Sequence, residues 1–179
     1  MRRTDTRGSN RQVAPEIAQL LAIIDQAYDR RSWHGTNLRG SLRLVSPSQA
    51  AWRPGPGRHN IWEVVVHAAY WKYAVRRRLT GERRGSFPLK GSNWFVRPQE
   101  PTDAAWRADV GLLDDSHRLL RETIEGVAPA GLRGCAEGGT PVFALIAGIA
   151  AHDLYHAGQI QLLKRLAPVG PTARRRRSA

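Results

Sequence analysis

A chain of 179 residues with 28 Lys and Arg against 15 Asp and Glu carries a formal charge of +13 and holds a single cysteine. That length suits one domain able to bury its own core, and the lone Cys135 excludes an internal disulfide. Four Arg among residues 1–12 and four more at Arg174 to Arg177 put a large share of the charge in the two ends. The chain therefore reads as a basic, disordered N-terminal extension at 1–12, a folded unit at 13–167 and a basic, disordered tail at 168–179. Neither end interleaves aromatics with its basic residues, as base stacking requires, and no helix-turn-helix, zinc-knuckle or RNP pattern occurs, so no specific nucleic-acid partner is expected. With no apolar segment behind the polar N-terminus and no run of eighteen apolar residues, the expectation is a cytoplasmic protein without a membrane partner.

In chain order, Pro15 suits the first position of a helix, and Ile17, Leu20, Leu21, Ile24, Ala27 and Tyr28 then repeat at helical spacing; this predicts a first helix from Pro15 to Ser32. A long crossover from His34 to His59 follows, with a short helix near Asn37–Leu44 and a turn at Pro54-Gly-Pro-Gly57. A second helix starts at the Asn60 cap and runs to Thr80-Gly81, with Glu63 placed to close a capping box. Glu63 also lies one turn before His67, where it would serve as a carboxylate ligand or a base; the capping role accounts for it adequately. Between Gly81 and Pro101, six Gly and Pro residues exclude a regular element, and Phe87, Trp94 and Phe95 mark this segment as a lid packed over the bundle end or a partner subunit. A third helix starts at the Thr102 cap, with Trp106, Val110, Leu113, His117, Leu120 and Ile124 facing inward. Thr140 and Pro141 open a fourth, ending near Ala167 before Pro168. Cys135, in a Gly-rich run with no His nearby in sequence, is read as a loop thiol. Four substantial helices with long connections and no alternating strand pattern predict an all-α helical bundle.

The strongest chemical signal lies in the last helix. Leu145, Ile149, His152, His156, Gln159 and Leu163 fall in one sector at about 100° per residue. Imidazoles at i and i+4 have Cβ atoms roughly 5–6 Å apart, close enough to share a metal ion bound at about 2.0–2.1 Å. Asp153 and Tyr155 point off that sector and suit supporting or packing roles. Two ligands are too few, and His67 supplies a third candidate, set among Val64, Trp71, Ala74 and Val75 on the second helix. A single His on an apolar face is usually a hydrogen-bonded core residue, which is the alternative for His67 taken alone and the reading for the isolated His117. Gln159 either orients a metal-bound ligand or forms an interhelical hydrogen bond, and His34 either lines the mouth of the site or occupies an exposed turn.

His67, the run His152-x-x-x-His156-Ala-Gly-Gln159, Trp33-His34-Gly35-x-Asn37 and Trp52-Arg53-Pro54 together resemble the DinB/YfiT-like superfamily of metalloenzymes, over roughly Pro15 to Leu166. The resemblance implies a four-helix bundle of non-sequential topology with long crossover connections, often a homodimer. It also implies a divalent metal on His67, His152 and His156; beside such a centre, the positions of Gln159, His34 and Glu63 make them the candidate catalytic residues. Such proteins include thiol-dependent transferases and isomerases that use low-molecular-weight thiols on small-molecule substrates. Zinc or nickel suits three imidazoles, and zinc either lowers the pKa of bound water to about 7 or holds a thiolate, giving hydrolysis or thiol transfer. The contrasting expectation is a non-catalytic, metal-stabilised homo-oligomer that binds an anionic partner through its basic surface.

Overall fold

The computed structural model describes residues 13–98 and 100–168, so the extension at 1–12 and nearly all of the tail at 168–179 lie outside the described residues. The elements in chain order are α1 (Pro15–Tyr28), α2 (Leu38–Ser41), α3 (Pro47–Ala51), α4 (Ile61–Thr80), α5 (Asp103–Glu125), a 3-10 turn (Pro129–Arg133) and α6 (Val142–Leu166). No strand occurs among the described residues, only an isolated bridge between Cys135 and Pro141. The fold is the predicted all-α bundle: α4 packs against α5 and α6, and α1 against α6 and α5, so each long helix touches two others. No helix among the described residues is long and apolar enough to cross a membrane.

Local chemistry sets the helix ends. α1 stops at Tyr28, four residues before Ser32, because the N–H groups of Asp29 and Arg30 both turn back to the Asp25 carbonyl, at 2.9 and 2.8 Å. The freed Arg30 carbonyl accepts from Asn37 Nδ2 at 2.7 Å, which starts the crossover. Asn37 and Ser46 cap α2 and α3 by accepting from Gly40 N and Gln49 N; α3, with Pro47 in its first turn, is an addition to the predicted elements. Asn60 caps α4 through the Glu63 N–H at 2.7 Å, and Gly81, at φ +73°, ends it in the left-handed region that glycine adopts without steric cost. The reciprocal half of the capping box does not form. The Glu63 carboxylate instead takes Arg53 Nη1 at 2.8 Å, because a guanidinium offers a charge-assisted pair where the Asn60 N–H offers a neutral one.

All six residues of the α5 stripe from Trp106 to Ile124 are buried, His117 among them. At the centre of the bundle Lys72 of α4 is fully buried and paired with the fully buried Asp153 of α6. Its ammonium also lies 4.6 Å from the centre of the Tyr28 ring of α1 and 3.4 Å from Nδ1 of His117 of α5. His117 in turn stacks on Tyr28 with ring centres 3.7 Å apart. One cation thus reaches side chains of all four long helices.

Removing one partner of such a pair strands a buried charge. Lys72→Met is expected to destabilise the protein by about 3–5 kcal/mol in urea unfolding, with much of the loss recovered in Lys72→Met/Asp153→Leu. His117 gives a pH signature. Burial, with Lys72 and Arg121 nearby, lowers its pKa to about 3, whereas the unfolded chain takes up that proton near pH 6.5. The unfolded state holds more protons throughout this window, so stability is lost as pH falls from about 6.5 towards about 3. Urea midpoints measured across that range should slope less steeply in His117→Phe than in the parent.

Candidate metal centre

His67 comes from the middle of α4, while His152 and His156 stand one turn apart on α6, and the packing of these helices brings the three rings together. His152 Nε2 lies 3.2 Å from His67 Nε2 and 3.1 Å from His156 Nε2. Three nitrogens bound to one tetrahedral ion at 2.0–2.1 Å stand roughly 3.3 Å apart, so this spacing matches a shared cation. His67 and His156 are buried and His152 is half-buried, and the three form a group that could hold a metal ion.

The outer nitrogens decide which face of each ring is a donor. His67 Nδ1 donates to the Asn93 carbonyl at 2.8 Å, and His156 Nδ1 donates to Gln159 Oε1 at 2.7 Å. Both rings are thereby set with the Nε2 lone pair turned inward, the tautomer that metal ligation needs. His152 Nδ1 is buried without a hydrogen-bond partner among the described residues. Burial lowers the pKa of His67 to about 4 and that of His152 to about 3, and it lowers that of His156 as well. Neutral imidazoles clustered at neutral pH, two of them with lone pairs converging, fit a cation and have little other use for one another.

The segment between α4 and α5 has no helix or strand among its described residues and packs over this centre. Asn93, at φ +65°, occupies the left-handed region that Asn tolerates; its carbonyl receives His67, and its side-chain oxygen receives Trp71 Nε1 at 3.0 Å. Trp94 is sandwiched between His59 and His67, with ring centres 3.6 and 3.8 Å away. His59 Nδ1 meets Glu63 at 3.0 Å, so the ring covering the metal centre is backed by a chain from Arg53 through Glu63 to His59.

The other candidates fall in distinct places. Gln159 bonds directly to His156 and holds that ring in position. Glu63 is only 4% exposed; burial pushes its carboxyl up, but hydrogen bonds from Arg53 and His59 and the Arg53 charge outweigh this and hold it below the usual range. It stays an anion engaged by its partners and belongs to the support of the site. His34 is exposed, its ring edge-on to Trp33 at 6.0 Å, and stands outside the three-histidine group. Cys135 is exposed, as expected of a loop thiol. His59, Asn93 and Lys72 escaped the sequence reading; only the aromatic richness around Trp94 signalled that this segment packs on something.

If Gln159 fixes the donor face of His156, Gln159→Leu should weaken metal binding by about 10–100-fold without changing stoichiometry. Competition against a chromophoric chelator measures this, and an unchanged affinity would show that His156 is oriented by its packing alone.

No curated protein and no solved structure matches the chain. The family model described as the DinB superfamily, however, matches residues 30–160, a span that takes in the crossover, His67 and both histidines of α6. On that match, supported by the helical bundle beneath it, this chain belongs to the DinB superfamily.

Proposed function

We propose that this protein is a divalent-metal-dependent enzyme of the thiol-dependent transferase or hydrolase type, acting on a small molecule at the three-histidine centre. The observation that carries the reading is the donor set. Three imidazoles converge, two with their outer nitrogens tied down, and no fourth His, Cys, Asp or Glu joins them among the described residues. A closed structural centre uses four protein donors, whereas three leave a position for a molecule from outside. Zinc or nickel suits this set. When bound there, the cation supplies Lewis acidity towards water, a low-molecular-weight thiol or a carbonyl.

The chain's own residues have separable tasks in this reading. His67, His152 and His156 hold the cation, Gln159 and the Asn93 carbonyl fix two of the rings, and Trp94 shields His67 from water. Neutral ligands leave the full positive charge of the ion to act on whatever occupies the open position.

Protein purified without a His tag should carry about one divalent ion per chain by elemental analysis, and His152→Ala/His156→Ala should carry none. A panel of thiols with electrophilic acceptors, and of esters, should yield turnover that a chelator abolishes and zinc or nickel restores. Equal metal content in the two proteins would overturn the metal centre. Metal that raises the melting temperature without supporting any turnover would instead favour the metal-stabilised, non-catalytic bundle.

A further inference from the structure

α4 and α6 run antiparallel, and beyond His67 and His152 they leave a groove between them. On α4 the stripe continues from His67 through Trp71 and Ala74 to Arg78. On α6 it runs back from His152 through Ile149 and Gly148 to Leu145. A largely apolar cavity of about 170 Å³ follows this line, bounded by Trp71 and His152 at one end and by Arg78 and Leu145 at the other. Small residues make the room: Ala74 faces the groove, and a Cβ built on Gly148 would meet nothing within 4 Å.

At Trp71, Ala74 and Arg78 the groove adjoins a second cavity of about 700 Å³, walled by α4 and the segment after it. Arg77, Arg78, Arg84 and Lys90 line this chamber against one carboxylate, Glu137, which Arg77 already engages. Arg78 bonds to the Glu137 carbonyl and the Thr140 hydroxyl and pairs with no carboxylate among the described residues. Arg84 and Lys90 are exposed and likewise unpaired there. An uncompensated cluster of cations at the end of an apolar groove is complementary to an anionic head on an apolar stem.

We infer that the α4–α6 groove is the substrate site of the metal centre, and that it takes an anionic amphiphile whose carboxylate or phosphate head lies at Arg78, Arg84 and Lys90 while its apolar stem runs to His152. The inference rests on the three-histidine reading for the stem's destination, but not for the groove or the anion. From Trp71 to Arg78 the helix rises about 10 Å, the reach of an extended eight-carbon chain. The apolar stem selects by length and the cationic chamber by charge, and the reacting carbon is the one that arrives beside His152.

Octanoate and octyl phosphate are the probes, with n-octylammonium as the control, each titrated calorimetrically into metal-loaded and chelator-treated full-length protein. Both acids should bind more tightly than the amine, and the tighter of the two identifies the head group. Arg78→Gln and, separately, the exposed pair Arg84→Gln/Lys90→Gln should each weaken acid binding roughly tenfold or more. Gly148→Leu should abolish it by filling the groove, with metal content unchanged in all three and the melting temperature not lowered in Gly148→Leu or in Arg84→Gln/Lys90→Gln. Acid binding no stronger than that of the amine, or undiminished by Gly148→Leu, would overturn the inference. Arg78-dependent binding by a protein that takes up no metal would remove the metal centre and keep the groove; normal metal uptake without acid binding would remove the groove alone.

Discussion

A fully buried ammonium holds this bundle in register. Lys72 pairs with Asp153 and lies against Tyr28 and His117, so one charge is shared among α1, α4, α5 and α6. Burial pushes the Asp153 carboxyl up and the Lys72 charge draws it back, which leaves the pair dependent on close geometry. Asp153 is next in sequence to His152, and Lys72 stands little more than one turn beyond His67. Any slip of α4 along α6 that separated the two histidines would also separate this pair. Apolar side chains tolerate such slips far better than a buried ion pair does.

The sequence announces what is local. His152 and His156 on one helical sector, the Asn60 and Thr102 caps, the inward stripe of α5 and the absence of a regular element around Trp94 all follow from spacing and turn chemistry, and the structure contains each of them. What depended on crossing the bundle was less visible. Nothing within its own helix marks Lys72 as buried, because its partner lies 81 residues away. Glu63 has the right offset for a capping box, yet its carboxylate answers to Arg53, a residue of the preceding crossover. α3 announces itself as Ser46-Pro47, a cap followed by a helix-starting proline, but five residues give too little periodicity to show.

Around the three histidines, the supporting contacts and the groove lie on different sides. The irregular segment and the crossover converge on His67 from one side, through Asn93, Trp94 and His59, with Glu63 of α4 tying His59 to Arg53. The groove reaches His152 from the other, between Trp71 and Ile149. This division leaves the rings held from one side while Ala74 and Gly148 keep the groove open on the other. His152, the ring that borders the groove, is also the one whose outer nitrogen has no hydrogen-bond partner among the described residues. Its ring is held by packing and by its two neighbours alone.

The Asn93 carbonyl that receives His67 belongs to the covering segment itself. A hinged cover is usually pictured as a door: it lifts, cargo enters, it shuts. Here the hasp is fastened to one of the three nitrogen donors, so lifting residues 91–95 would free that imidazole to rotate at the moment it was needed. The groove between the two long helices, by contrast, reaches His152 without touching that fastening.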